Sequence, residues 1–201
     1  MTSTAQHQGI TLKGSVATVV EFFEYSINNI LYQREIYPAE TFRRVAKYGL
    51  GMFVTTDDGL SGYLQNVLTQ LHDWLMAGSV QKLVLVISSQ ESGETLERWV
   101  FDLQADKSIG PTEKVDKPEK EIQAEIAAIQ RQIIASVTFL PLNDEPCAFD
   151  LLVYTDEDVQ VPKLWENTDP KMIVNSDEVK LRSFTTKIHK VESSVTYKAD
   201  A

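Results

Sequence analysis

Cysteine and histidine are scarce in this chain of 201 residues, which has one cysteine and three histidines. A single thiol, Cys147, has no second cysteine for an intramolecular disulfide, so we expect a reducing compartment. His7, His72 and His189 are far apart in the sequence and, with one thiol, form no zinc motif of the usual kind. We therefore predict a protein without a metal ion or a cofactor.

Basic residues are also in the minority, with 19 Lys and Arg against 29 Asp and Glu and a net charge of −10. Binding to nucleic acid or to an anionic membrane surface uses Lys- and Arg-rich surfaces, so neither partner is expected. The longest aliphatic run, residues 83–87, is too short for a membrane span. The first residues lack the apolar core of a signal peptide. These absences indicate a soluble intracellular protein, and the length suits one domain.

Motifs for catalysis are missing as well. The nine glycines form no phosphate-binding loop. The acidic pairs Asp57-Asp58 and Glu119/Glu121 belong at helix starts, where they complement the helix dipole, and residues 156–158 form a turn. We predict that the chain is not an enzyme, with a hydrolase that uses a carboxylate pair as the alternative.

Helical periodicity is strong in three segments. Apolar residues over 16–31 predict a first helix with Ser15 as its N-cap. Residues 60–75 predict a second helix, which Gly78 ends. A third helix starts at Pro118, and its inward face is predicted to contain Ile122, Ile126, Ile129 and Ile133.

Strand patterns occupy most of the remaining chain. Residues 80–88 and 95–104 predict a β-hairpin, and 48–56, 137–142 and 148–155 predict shorter strands. Residues 179–197 are a mixed β stretch whose register is weakly specified. Residues 106–118 are a charged loop that we expect to be mobile. The combination predicts an α+β fold in which three helices pack on a mainly antiparallel sheet.

The three tryptophans differ in their surroundings. Trp74 and Trp99 lie on apolar faces, which favours core packing. Trp165 follows Pro162 in an irregular segment, where it either anchors a loop onto the core or contacts a partner. Both alternatives stay open from the sequence.

Several strings resemble a known family. GITLKGS at 9–15, NILYQR at 29–34, ESGE at 91–94 and RSFTT at 182–186 resemble the HORMA-domain proteins of the spindle assembly checkpoint. The resemblance covers about residues 9–197, nearly the whole chain. It implies a single HORMA domain over 1–201, with a core of about 9–155 and a mobile C-terminal safety belt of about 156–201.

The resemblance also implies a mechanism. Such domains switch between an open and a closed topology, and in the closed form the belt crosses the domain and pairs at the other sheet edge. An extended peptide is trapped beneath the belt by β-augmentation. The implied partners are the kinetochore receptor paralogue and the co-activator of the anaphase-promoting complex in the mitotic checkpoint complex, whose capture delays anaphase. Self-association of open and closed conformers, a remodelling AAA ATPase with a HORMA-like adaptor, and a location in nucleus, kinetochore and cytoplasm are implied too.

Site residues follow from the same resemblance. The belt residues are Trp165, His189, Val191 and Tyr197, and Trp74 lies where the belt docks. The implied dimerisation surface consists of Arg131, Gln132, Phe139, Arg182 and Arg34. The implied peptide-binding edge strand comprises Ala148, Phe149, Asp150, Leu151, Leu152, Val153, Tyr154 and Thr155.

One alternative within the family is an accessory subunit of a translesion polymerase, against which the strings quoted above argue. The acidic balance of the chain favours capture of basic peptides, which is a hypothesis from charge alone. The last residues depart from the family pattern, because they lack the more apolar tail that the resemblance associates with anchoring of the open form in the animal proteins.

Overall fold

The computed structural model describes residues 9–199, so His7 and the two ends of the predicted domain lie outside the described residues. The described chain is an α+β fold with helices and antiparallel strands, as predicted. The helices are α1 (Leu12–Gln33), α2 (Asp58–Met76) and α3 (Glu119–Ile134). The strands are β1 (Phe42–Lys47), β2 (Leu50–Thr55), β3 (Val80–Ser89), β4 (Thr95–Ala105), β5 (Cys147–Thr155), β6 (Ser176–Thr185) and β7 (His189–Lys198).

Helix α1 begins earlier than the sequence pattern suggests. The predicted N-cap at Ser15 is wrong, because Thr11 caps the helix and its side chain accepts a hydrogen bond from the Gly14 amide. Ser15 lies inside the helix and is completely buried. The predicted limits of α2 are confirmed: Asp57 accepts a 2.7 Å hydrogen bond from the Leu60 amide, and Gly78 follows the helix at a φ of +70° that favours glycine.

Five strands form the main sheet, in the order β5-β3-β4-β7-β6, and every neighbouring pair is antiparallel. The predicted hairpin of β3 and β4 is confirmed. Strands β1 and β2 form a separate two-stranded sheet. The sequence pattern missed β1, because its exposed residues Arg43 and Arg44 obscure the alternation of apolar and polar residues. The strand predicted from Tyr48 begins later, at Leu50, because Tyr48 lies in a turn at positive φ.

The main core lies between the helices and the inner face of this sheet. Phe22 of α1 packs against Phe101 of β4 and Phe184 of β6, with ring centroids 5.7 and 4.7 Å apart. The four isoleucines predicted on the inward face of α3 are buried, as expected. The outer face, opposite the helices, carries a small second cluster of Val84, Val86, Val100 and Leu152.

Two predicted segments differ from the structure. Residues 137–142 do not form a strand: a 3₁₀ turn, Ala135–Thr138, is followed by irregular chain in which Leu140 is buried and the Pro141 carbonyl accepts a hydrogen bond from Arg34. The loop at 106–118 is held down at its end, because Val115 and Ile10 exchange two backbone hydrogen bonds of 2.9 Å. This bridge ties one end of the loop to the start of α1, and the mobility of the rest of the loop stays a prediction.

The C-terminal region has two parts. After β5, the chain runs irregularly through residues 156–175, here called the crossing segment, and then forms the C-terminal hairpin of β6 and β7. This hairpin pairs through β7 with β4, on the side of the sheet away from β5. Buried and exposed residues alternate along β7, so its register is specified more firmly than its composition suggests. The mobility of the region stays a prediction.

No helix within residues 9–199 combines the length and apolar character that crossing a membrane requires.

Candidate functional site

The sheet has two terminal strands, β5 and β6, and the free edge of β5 is the one that lies beside the crossing segment. The register of β5 joins it to β3 alone. Within residues 9–199, no strand pairs with its other edge. Such an edge presents a row of free N–H and C=O groups that can pair with another chain. All eight residues of the predicted edge strand, 148–155, lie on β5.

The crossing segment runs beside this free edge. Its Trp165 packs edge-on against Trp74 of α2, with ring centroids 5.0 Å apart. Residues 165–170 and residues 151–154 of β5 line a channel of about 180 Å³. A neighbouring groove of about 510 Å³ lies between α2 and the start of the crossing segment. Of the two roles open to Trp165, the structure supports the anchor.

Acidic side chains dominate this channel and its rim. Glu166 and Asp169 line the channel, and Asp150 projects from the exposed side of β5. Tyr63 of α2 lines the neighbouring groove, where burial and the nearby Asp150 carboxylate raise its pKa, while the Leu151 backbone N–H opposes that shift. The site can therefore offer backbone pairing together with negative charge.

The C-terminal hairpin is fixed to the domain by apolar contacts along its length. Val191 and Val195 of β7 and Phe184 of β6 are at most 1% exposed. Val191 lies opposite Leu103, and Val195 lies opposite Trp99 of β4. Tyr197, near the end of β7, is half-buried beside Glu97. Of the four predicted belt residues, the structure brings His189, Val191 and Tyr197 together on β7 and places Trp165 on the crossing segment.

The turn of this hairpin is held by a buried polar cluster. The Ser15 hydroxyl of α1 lies 2.6 Å from Thr186 Oγ1 and 2.7 Å from His189 Nδ1. Thr186 also accepts hydrogen bonds from the backbone amides of Ile188 and His189. Burial lowers the pKa of His189 to about 4, so this imidazole is neutral at physiological pH.

A second polar contact fixes the other side of the turn. Lys117, at the end of the 106–118 loop, is largely buried and donates to Glu125 of α3 at 2.8 Å and to the Thr185 carbonyl at 2.7 Å. Glu125 accepts in turn from the Thr185 amide at 3.1 Å. Side chains from three separate elements, α1, α3 and the 106–118 loop, therefore form hydrogen bonds with the hairpin turn.

Four of the five predicted dimerisation residues lie near one another at the surface. Arg131 of α3 is exposed, and Gln132 accepts a 2.7 Å hydrogen bond from the Arg182 amide of β6. Phe139, beyond the end of α3, is 37% exposed. Gln132 and Arg182 therefore join α3 to β6 at this surface, and Phe139 is exposed in the chain that follows α3.

Arg34 does not share this exposure. Its side chain is 2% exposed and pairs with Glu97 of β4, with Nε 2.8 Å from the carboxylate. Trp99 Nε1 donates to the second oxygen of the same carboxylate at 3.0 Å. A guanidinium shared between a buried carboxylate and the Pro141 carbonyl is a structural link that joins the end of α1 to β4, so Arg34 lies apart from the exposed residues of the predicted surface.

The sequence pattern did not identify the residues whose side chains form hydrogen bonds with the hairpin turn. Ser15, Val19, Phe22 and Ser26 occur at i, i+4, i+7 and i+11, and all four are fully buried. This spacing placed Ser15 on the apolar stripe, which is the signal that could have identified it as a buried contact. The sequence around Lys117 and Glu125 contains no comparable pattern that would predict their contacts with the turn.

Thiol and metal chemistry are weakly represented. Cys147 is 9% exposed, and burial raises the pKa of its thiol, as expected for a small core residue. Within residues 9–199, no three His, Cys, Asp or Glu side chains cluster as metal ligands would.

Comparison with known proteins agrees with this geometry. The HORMA domain family matches residues 15–189. The chain is 60% identical to the mitotic spindle assembly checkpoint protein MAD2A of Dictyostelium discoideum, covering 96% of each chain. It is 58% identical to the MAD2A protein of Homo sapiens, covering 96% of this chain and 95% of that one.

A solved structure gives the same result. A chain of the crystal structure of a mitotic checkpoint complex matches with a TM-score of 0.85 and 46% identity, over 92% of this chain and 99% of that chain. The chain therefore belongs to the HORMA domain family, in the branch of the mitotic spindle assembly checkpoint proteins.

Proposed function

We propose that this protein traps an extended peptide of a checkpoint partner along the outer edge of β5, beneath the crossing segment. One observation carries the proposal: the edge has no strand partner within residues 9–199, and a channel runs between it and residues 165–170. A peptide added there gains main-chain hydrogen bonds from β5. The crossing segment then covers the peptide, so release requires local opening and is slow.

The position of the C-terminal hairpin supports this reading. The hairpin occupies the β4 edge and leaves β5 free, which corresponds to the closed topology that the family resemblance implies. If the hairpin moved to β5, it would occupy the row of groups that the peptide needs. The two positions of one segment thus become a switch between a blocked and a peptide-bound state.

The partners proposed for this edge are the kinetochore receptor paralogue and the co-activator of the anaphase-promoting complex. The structural relative in a mitotic checkpoint complex supports assembly with partner proteins of this kind. We propose further that the protein acts as a binding protein without catalysis, that an AAA ATPase with its adaptor reopens it, and that it works in nucleus, kinetochore and cytoplasm. The translesion polymerase subunit is the weaker alternative, because identity to checkpoint proteins reaches 60%.

A direct test uses peptides tiled from these two partners and labelled for fluorescence anisotropy. In the tightest peptide, backbone amides are N-methylated in two alternate sets. Because successive amides of a strand point in opposite directions, one set faces β5 and the other faces away. Methylation of the first set should abolish binding, and methylation of the second set is the matched control. Equal effects of the two sets would contradict pairing with β5.

Charge at the channel supports a preference for basic peptides. Asp150, Glu166 and Asp169 lie at the edge or line the channel, and the whole chain has a net charge of −10. Added salt should therefore weaken binding by slowing association, since screening acts on exposed charges. An affinity that is insensitive to salt would refute the charge preference and leave the pairing proposal intact.

Self-association is proposed for the surface of Arg131, Gln132, Phe139 and Arg182. Arg131 is exposed on α3, which contacts β6 at the end of the sheet opposite β5, so Arg131→Ala should abolish self-association measured by analytical ultracentrifugation and leave peptide affinity unchanged. Loss of peptide binding instead would remove this surface from the proposal.

A further inference from the structure

Arg98 of β4 is a buried cation without a visible counter-charge. The residue is 7% exposed, and its Nε is closed off from solvent without a hydrogen-bond partner. Its guanidinium takes part in none of the ion pairs found within residues 9–199. Only Nε of the three guanidinium nitrogens is closed off in this way, so the rest of the group can accept a ligand from solvent, and an anion there would supply the counter-charge that the described residues lack.

Arg98 is directed into a pocket on the outer face of the sheet. The pocket has a volume of about 630 Å³, and β4, β6 and β7 form its floor. Cross-strand pairing places Arg98 beside Thr196, and Ser194 and Ser176 line the same pocket. These hydroxyl groups can donate hydrogen bonds to an anion next to the guanidinium.

The carboxylates of the pocket are largely engaged elsewhere. Glu192 lies 2.7 Å from Lys190, and the hydrogen bond and charge of Lys190 lower the pKa of Glu192. Asp102 lies 3.9 Å from Lys82. Glu178 and Lys180 both line the pocket and offset each other in charge, which leaves the Arg98 charge in excess.

We propose that this pocket binds a phosphate group, with Arg98 as its principal ligand. The planar guanidinium fork matches two phosphate oxygens, and the neighbouring hydroxyls can serve a third. The pocket is much larger than one phosphate ion, so it also admits the residue that carries a phosphate monoester. Free phosphate and a phosphorylated side chain present the same chemistry to Arg98.

Occupancy of the pocket has a structural consequence. Met172 and Ile173 of the crossing segment form part of its wall, together with β4 and the C-terminal hairpin. A ligand that contacts all of these favours the arrangement in which they lie together, by mass action. The phosphate site is therefore also a means to stabilise the position of the hairpin beside β4.

The test follows the Arg98 Nε–H resonance by NMR during titration with inorganic phosphate at constant ionic strength. We expect a saturable shift of this resonance, slower hydrogen exchange in β7 and a higher Tm. A parallel titration with N-acetyl-phosphoserine amide separates the sources: tighter binding of the monoester identifies a modified side chain, and tighter binding of phosphate identifies the free ion. Absence of any shift at Arg98 with both probes overturns the proposal.

Two substitutions at Arg98 and one control sharpen the test. Arg98→Met should raise the Tm in phosphate-free buffer, since it removes an uncompensated buried charge, and should abolish the response to phosphate. Arg98→Lys keeps the charge but loses the fork, so binding should weaken about tenfold. Arg43→Met, on the exposed side of β1, changes net charge equally and should respond as the unaltered protein does. A phosphate response that survives in Arg98→Met overturns the assignment.

Discussion

The helical core is held mainly by apolar packing, whereas the C-terminal hairpin combines apolar contacts along its length with buried polar contacts at its turn. Helix α1 contributes seven fully buried apolar side chains, from Val16 to Leu31, between the other helices and the sheet. The hairpin contributes Phe184, Val191 and Val195, and its turn is fixed by buried polar groups of Ser15, Lys117 and Glu125.

In the proposed switch the hairpin is the segment that moves, and this difference then has a physical meaning. Apolar packing in the core is distributed over many contacts, so it yields only when the domain unfolds. Directional hydrogen bonds at one turn release together once they break, and their partners can be satisfied by water. The hairpin therefore has a defined point of release, whereas α1 has none.

The largest effect is expected for two phenylalanines in contact across this boundary. Phe22 of α1 and Phe184 of β6 have ring centroids 4.7 Å apart. Truncation of either to Ala should cost about 3–5 kcal/mol. Phe22→Ala should lower the stability of the whole domain, whereas Phe184→Ala should open the hairpin alone. Native-state hydrogen exchange measures both, residue by residue.

The comparison would fail if Phe184→Ala accelerated exchange in α1 and β3 as much as in β7. In that case the hairpin and the core would be one cooperative unit, and no separate release of the C-terminal region could be inferred.

A smaller effect is expected from the protonation of His189. Its pKa of about 4 in the fold lies below the ordinary value of 6.5, so the released or unfolded state binds the proton more tightly. The contribution is therefore complete above pH 6.5 and is lost as the pH falls from 6.5 towards 4, by up to about 3 kcal/mol. Urea unfolding between pH 7.5 and 4.5 should show this slope.

His189→Gln should flatten the pH slope. The matched control is His72→Gln, which replaces an exposed histidine of α2 by the same residue type. Equal slopes in the protein and in both variants would mean that the buried cluster of Ser15, Thr186 and His189 does not control the hairpin.

The smallest effects distinguish the two ends of the hairpin. Lys117→Met removes a largely buried lysine from Glu125 and the Thr185 carbonyl, and should cost about 2 kcal/mol. Lys198→Met removes an exposed pair with Glu94 at the open end, and should cost less than about 1 kcal/mol. Thermal unfolding measures both costs. A larger loss of stability for Lys198→Met than for Lys117→Met would contradict a point of release at the hairpin turn.

Much of this architecture could be predicted from the sequence because its signals are periodic. The spacing of apolar residues predicted all three helices, and β-branched runs predicted β3, β4 and β5. Recognition of the family rested on strings such as RSFTT at 182–186, which includes the hairpin-turn residue Thr186. Because Thr186 belongs to the buried polar cluster, this string has a physical role in holding the hairpin turn.

The remaining features depend on tertiary contacts that local patterns do not contain. Ser15 was assigned as a cap because serine favours that position, but its partners Thr186 and His189 lie more than 170 residues away. The segment 137–142 has strand propensity, and its conformation is instead set by burial of Leu140 and by the bond from Arg34 to Pro141. The pairing of β7 with β4 is likewise a tertiary contact that no local pattern specifies.

The central claim is that β5 offers its free edge to a peptide while the hairpin stays at β4. Hydrogen exchange of backbone amides, measured with and without the tightest partner peptide, tests it most directly. Alternate amides of β5 should become strongly protected, and the amides of β7 that pair with β4 should keep their protection. Protection confined to α3 and β6, with β5 unchanged, would contradict the account.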